Sequence, residues 1–174
     1  MELYIAQDQD LDRVADLVNQ AYRGLSAPDW TTESGLIDGP RTNRRDLAGM
    51  IRNGASTILL ALDPASGRLS GCVALSPLED GEWYLSMLAV SPHAQGSGLG
   101  KAIMAGAEDF ARDAGAGSVK ISVINVRDKL IAWYERRGFA KTGDSEPFPY
   151  DDPNVGKPLR DDLALVTLTK SLGA

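Results

Sequence analysis

Apolar positions change their spacing several times along this 174-residue chain, and each change marks an element. Residues 2–6 alternate loosely, as a short strand does. From Leu11 the apolar side chains fall at Leu11, Val14, Ala15, Val18, Ala21 and Tyr22, the three- and four-residue spacing of an amphipathic helix. Asp8 or Asp10 is placed to cap its start. Residues 23–40 hold Gly24, Pro28, Gly35, Gly39 and Pro40 and read as loop. Residues 41–53 turn helical again, with Leu47, Met50 and Ile51 on one side and Gly54 to end the helix. Three β-rich runs follow at 57–62, 68–76 and 82–90, separated by turn residues at 63–67 and 77–81, and this predicts an antiparallel meander. After Pro92 a glycine-rich turn leads into a helix from Leu99 to about 114, with Leu99, Ile103, Ala107, Phe110 and Ala114 as its apolar stripe. The chain then reads as strand 118–124, helix 127–137 closed by Gly138, and strands 139–142 and 163–169. Between the last two, residues 143–160 carry Pro147, Pro149, Pro153 and Pro158 and read as a long loop, a length usually tied to function or mobility.

Composition narrows the classes. At roughly 150 residues per domain, residues 1–174 make one domain of α/β type, and no repeat or low-complexity tract interrupts it. Lys and Arg number 18 against 24 Asp and Glu, a net charge of -6, which argues against nucleic acid as a partner. The same charge also predicts, naively, repulsion of anionic ligands. The longest apolar runs, 58–62 and 130–134, are far short of the roughly 18 residues a membrane span needs, so no membrane partner is expected. Cys72 is the single cysteine, which leaves no intrachain disulfide and no cysteine-based metal site; no metal is expected. The first residues lack the basic and apolar regions of a signal peptide, and the expectation is a cytoplasmic protein, monomeric or homodimeric.

The most informative stretch is Gln95-Gly96-Ser97-Gly98-Leu99-Gly100-Lys101, between the strand ending at Val90 and the helix that follows. Three glycines in five residues let the backbone approach a ligand. The helix start beyond them adds unpaired N–H donors and a partial positive charge, a place where phosphate oxygens fit. A tight structural turn would use the same glycines. A nucleotide P-loop fails here, because its first glycine falls on Gln95 and its Ser/Thr on Ala102. The dinucleotide fingerprint fails too, with Lys101 or Ile103 where its last glycine belongs.

What the stretch does fit is Gln/Arg-x-x-Gly-x-Gly/Ala, and with the preceding Leu88-Ala89-Val90 it resembles the acyl-CoA-binding motif of the GNAT N-acetyltransferases. Asn125, followed by Trp133-Tyr134-Glu135-Arg136-Arg137-Gly138-Phe139, is similar to the second signature of that family. The element order fits from Glu2 to Thr169. The resemblance implies a mixed, mostly antiparallel sheet of about seven strands flanked by about four helices. Its fourth and fifth strands, here 82–90 and 118–124, would splay apart to admit the pantetheine arm of CoA.

The resemblance also implies roles. Backbone groups of Leu88, Ala89 and Val90 pair with pantetheine, and an N–H near Leu88 polarises the thioester carbonyl. The turn from Gln95 to Lys101 (Gln95, Gly96, Ser97, Gly98, Leu99, Gly100 and Lys101) grips the pyrophosphate, with Lys101 either adding charge or simply solvated. Tyr134, a phenol protonated at neutral pH, donates to the departing CoA thiolate; the alternative is a tyrosine packing beside Trp133. Asn125 holds CoA or splays the strands, or else caps the next helix. Many relatives place a glutamate base where Tyr84 stands here. Glu82, two residues earlier on the same strand face, could act through water, or be a solvated turn residue. His93 is the lone histidine and reads as surface.

For the acceptor the sequence offers two charged regions, 23–53 with Arg41, Arg44 and Arg45, and 143–160 with Asp151 and Asp152, followed by Asp161 and Asp162. Residues 146–150 add rigid and aromatic walls. An amine favours the acids, and a carboxylate-bearing acceptor an arginine. The expected activity is acetyl transfer from acetyl-CoA, as co-substrate, to a small amine or amino-acid-like molecule. A protein N-terminus or lysine as acceptor, and a non-catalytic acyl-CoA sensor, are the alternatives.

Overall fold

Alternating apolar residues in the central strands bury both faces of one sheet. In β3 (Thr57–Leu62), Ile58 and Leu60 pack under α1 (Leu11–Arg23) and α2 (Arg44–Ile51), whereas Leu59 and Ala61 face the opposite core. β4 (Leu69–Pro77) repeats the pattern, with Cys72 and Ala74 on the first side and Val73 and Leu75 on the second. The second core is completed by α3 (Leu99–Asp113) and α4 (Asp128–Glu135) through Ile103, Met104, Ala107, Ile131 and Tyr134. The computed structural model describes residues 1–24 and 32–173. Residues 25–31 of the expected first loop, Pro28 among them, lie outside the described residues.

The main sheet has seven strands. Their order is β1 (Tyr4–Ile5), β3, β4, β5 (Glu82–Val90), β6 (Ser118–Ile124), β9 (Ala164–Ser171) and β7 (Ala140–Pro147). The β3–β4–β5 meander is antiparallel, as the turn residues predicted. Only β5 and β6 run parallel, and they pair over just three positions, from Glu82 with Ser118 to Tyr84 with Lys120. Beyond Tyr84 the two strands separate. The sheet is therefore mixed, open, and splayed between 82–90 and 118–124.

A bulge in β5 sets where its later residues point. Between the Cys72–Ala89 and Ala74–Ser86 pairs, β4 has one residue and β5 has two, and Met87 takes a φ of 51°. Alternation consequently slips. Leu85 faces the α3/α4 core, but Met87, two residues on, faces the α1/α2 core with Ala89, while Leu88 and Val90 return to the α3/α4 side. No period in the sequence shows this slip.

Elsewhere the elements are shorter or differently tied than the pattern predicts. The first strand shrinks to two residues. Asp10 does sit before α1, but its carboxylate accepts from the Gln7 N–H at 2.7 Å and from the Arg13 side chain at 2.6 Å rather than from a backbone N–H of the helix. Asn43 caps α2 by accepting the Asp46 N–H at 3.0 Å. The expected loop over 143–160 is partly strand, since β7 runs on to Pro147 through a break at the left-handed Gly143. A second, two-stranded sheet pairs β2 (Ile37–Asp38) with β8 (Lys157–Pro158) and so stitches the two long connections together. That pairing closes one side of the site.

Candidate active site

Where β5 leaves β6, two cavities open and meet. The first, about 240 Å³, is lined by Leu88, Ala89 and Val90, by the turn residues Gln95, Gly96, Gly98, Leu99, Gly100 and Lys101, and by Leu130, Trp133, Tyr134 and Arg137 of α4 and its C-terminal flank. Gly96 and Gly98 take φ values of 78° and 82°, the left-handed region that glycine enters without a Cβ clash. Among the described residues, the N–H groups of Gln95 to Lys101 reach no carbonyl outside the helix, and the first turn of α3 has no earlier turn to bond to. Ser97 is the exception in the turn. It does not line the cavity, and its hydroxyl donates back to the Ala94 carbonyl at 2.6 Å, closing the loop from outside.

Charge in this first cavity is of one sign. Among the described residues Lys101, Arg127 and Arg137 line it and no carboxylate does, so the net charge of -6 does not describe it. Arg137 lies over the Trp133 ring, 3.4 Å to its centroid, and donates to the Trp133 carbonyl at 2.7 Å. Its Nε is buried without a partner among the described residues, and burial lowers the pKa of the guanidinium. Sequence reasoning missed Arg127, Leu130 and Arg137. Counting helical spacing outward from Tyr134 finds all three, since they lie at positions -7, -4 and +3.

The second cavity, about 410 Å³, lies on the far side of Tyr134. Its walls come from α1, β2, α2, β5 and β6 and from the segment holding Phe148, Pro149, Asn154 and Val155. Five residues line both cavities: Tyr22, Leu88, Arg127, Leu130 and Tyr134. Glu33 forms part of the second wall and is held by two buried guanidiniums, Arg127 at 3.1 Å and Arg23 at 3.4 Å. Burial lowers the pKa of Arg23, and Glu33 opposes that shift. Nothing in the sequence pattern singles out Glu33, which sits in a loop without periodicity.

Tyr134 joins the two spaces. Its ring packs edge-on between Trp133 and Phe139, with centroids 5.1 Å and 5.6 Å away, and the residue is only 6% exposed. The expected packing beside Trp133 is present, and the same side chain borders both cavities. Burial, then the neighbouring Tyr22, pushes the phenol above its ordinary value of 10, so it stays protonated at neutral pH. Burial likewise pushes Tyr22 up to about 12.

Other expected site residues stand elsewhere. Glu82 lines neither cavity; it sits at the paired end of the splay, 3.9 Å from Lys120, about six strand residues or roughly 20 Å from Leu88. Tyr84, on the same strand face, does line the second cavity. Asn125 also lines neither. Its Oδ1 accepts the Ala164 N–H at 2.9 Å and its Nδ2 donates to the Asp162 carbonyl at 3.1 Å, so it extends the β6–β9 pairing by one side-chain rung. It does not cap α4, whose N-cap is Arg127. His93 is exposed and outside both cavities. Of the candidate acceptor charges only Arg41 lines the second cavity: Arg44 pairs with Asp8 and Asp12, Asp162 pairs with Arg160, and Asp151 and Asp152 line a separate outer recess.

A strand pair splayed over a left-handed glycine turn, with a phenol at the mouth of the splay, is the arrangement the two sequence signatures implied. The profile of the acetyltransferase (GNAT) family matches residues 14–139. The chain belongs to the GNAT family of acetyltransferases. It is 38% identical over 80 residues to streptothricin acetyltransferase from Streptomyces lavendulae, a match covering 45% of this chain and 42% of that one. The aligned part thus spans less than half the length of that curated relative. Among solved structures, nourseothricin acetyltransferase is 28% identical with a TM-score of 0.58, over 69% of this chain and 67% of that one. The ribosomal-protein-S18-alanine N-acetyltransferase from Escherichia coli superposes over 99% of this chain and 94% of its own with a TM-score of 0.72 at 16% identity, a likeness of fold. The GNAT acetyltransferase carries the family's mixed seven-stranded sheet, and the family uses acetyl-CoA as co-substrate. Among the described residues no cluster of His, Cys, Asp or Glu suits a metal ion, and no helix is long and apolar enough to cross a membrane.

Proposed function

We propose that this protein transfers an acetyl group from acetyl-CoA directly to the primary amine of a small or amino-acid-like molecule. The observation that carries the reading is Tyr134, which lines both the cationic cavity and the acceptor cavity. The first cavity fits CoA chemically. Its unpaired N–H groups, with Lys101, suit a pyrophosphate, and Leu88, Val90, Leu99 and Trp133 suit the less polar arm. The second, at about 410 Å³, has the size of a small-molecule site.

Acetyl-CoA supplies the activated thioester; the chain's own groups position it and move protons. The β5 edge beyond Tyr84 has no strand partner on the β6 side, so its backbone is available to hold the pantetheine as a further strand and to polarise the thioester carbonyl. As the amine nitrogen bonds to the acetyl carbon and the carbon–sulfur bond breaks, Tyr134 gives its proton to the sulfur. Water in the acceptor cavity takes the proton that the nitrogen sheds. Glu33 does not serve as that base because two guanidiniums occupy its carboxylate, and Glu82 and Asn125 enter no step because neither reaches the cavities. The catalytic group of the proposal is Tyr134. The cofactor-binding groups are Leu88, Ala89, Val90, Gln95, Gly96, Gly98, Leu99, Gly100 and Lys101, joined by Trp133 and Arg137.

Thermal-shift titration with acetyl-CoA, CoA and NAD tests the first half of this reading. Stabilisation by the two CoA species and none by NAD is expected, and no response to either CoA species would end it.

A further inference from the structure

Among the described residues, the acceptor cavity differs in sign from the molecule that contains it. Arg23, Arg41 and Arg127 line it against Glu33 and Asp46, in a protein of net charge -6. Glu33 is already shared by Arg23 and Arg127. Asp46 lies in the first turn of α2, where one carboxylate oxygen accepts from the Asn43 amide at 2.7 Å. Glu33 is thus neutralised within the wall, whereas Asp46 keeps its charge at the edge of α2.

Arg41 is held differently. Its backbone N–H and that of Thr42 both donate to Asn19 Oδ1, at 2.7 Å and 3.0 Å, and Asn19 Nδ2 donates to the Thr42 carbonyl at 2.9 Å. Three hydrogen bonds from one α1 side chain thus fix the segment that carries it. The guanidinium lies 5.5 Å from the centroid of the Tyr22 ring, and Tyr22 lines both cavities. Among the described residues no carboxylate pairs with Arg41, although Glu33 and Asp46 line the same space. A guanidinium fork at the wall of a cavity, its donors unspent among the described residues, is matched by the two oxygens of a carboxylate. The CoA phosphates do not account for it, since Arg41 lines only the acceptor cavity.

We propose that Arg41 anchors the carboxylate of the acceptor, so that this enzyme acetylates amines that carry a carboxylate in preference to neutral amines and polyamines. The inference rests on the acetyl-transfer reading above and narrows its acceptor class. The test compares L-amino acids with their carboxamides, and with spermidine as the cationic control, under saturating acetyl-CoA. The amino acids that react best should exceed their carboxamides by about 10- to 100-fold in kcat/KM, the scale of hydrogen bonds to a charged group. Arg41→Gln should collapse that ratio to about threefold or less, and Arg41→Lys should keep part of it, since the charge survives without the fork. Thermal stabilisation by acetyl-CoA, retained in both variants, shows that they fold. Spermidine or the carboxamides reacting as well as the amino acids would overturn the proposal. So would an unchanged ratio in Arg41→Gln, or no amino acid acetylated by a protein that binds acetyl-CoA. A wild-type protein that acetyl-CoA fails to stabilise would instead remove the transfer reading itself.

Discussion

The two cavities that meet at Tyr134 are built in opposite ways. The first draws most of its wall from one stretch, 88–101, and the rest chiefly from one helix and its flanks, so its residues are close in sequence as well as in space. The second collects residues from Tyr22 to Leu165 and depends on a two-residue strand pairing, Ile37–Asp38 with Lys157–Pro158, to bring its far walls together. Their electrostatics differ too. The first cavity takes its donors from the backbone of one turn and helix start, and its cations from the Lys101, Arg127 and Arg137 side chains. The acceptor side, among the described residues, sets three guanidiniums against two carboxylates through contacts between distant elements. A ligand common to a family can be met by a local motif, whereas a particular acceptor has to be met by long-range packing.

Substitutions can break this comparison or sharpen it. The largest effect belongs to the residue the cavities share. Tyr134→Phe should slow acetyl transfer by about 10²- to 10⁴-fold and leave the Kd for CoA unchanged. Because burial raises the phenol above its usual value of 10, the deficit should be the same factor at pH 7 and pH 9. Thiol-release rates at the two pH values, with calorimetric titration of CoA, give the answer; an unchanged rate would detach Tyr134 from the chemistry and leave two unconnected pockets.

Glu33→Leu addresses the wall of the acceptor cavity. It removes the carboxylate that Arg23 and Arg127 share, in a setting only 8% exposed at all three side chains. Urea unfolding should show a loss of about 3–5 kcal/mol, the scale for removing one partner of a buried ion pair. A loss below about 1 kcal/mol would mean that the ion triad is not what holds this wall.

Glu82→Gln should do least. Its partner Lys120 is 3.9 Å away and both side chains are 32% exposed, so the stability change should fall within about 1 kcal/mol, and the transfer rate should stay within about twofold of the parent. A large fall in rate would return Glu82 to the mechanism.

Legibility followed the same divide. The helices at 11–23 and 99–113 and the central meander were visible because their apolar periods are local. The glycine turn was visible for the same reason, and from it the splay of 82–90 from 118–124 could be expected through the family resemblance. Ser97 and Asn125 belong to the signatures yet stand outside the cavity, one closing the turn and the other extending a strand pairing. Motif membership does not say which way a side chain points. Glu33 and Trp133 were passed over, one for want of any pattern in its loop and the other because an aromatic on a helix reads as core.

By itself the sequence determined the main helices and central strands, the glycine turn and the helix that carries Tyr134, since each depends on residues within a few turns of one another. Tertiary structure alone decided that Leu88 and Val90 share a face with Leu85 only by way of the Met87 bulge, and that Tyr134 borders both cavities. It alone decided that Arg41, among several candidate charges, reaches the acceptor space. The reason is physical: backbone hydrogen bonding and helical spacing act over short separations in the chain, while the sign and shape of a cavity depend on side chains brought together by packing.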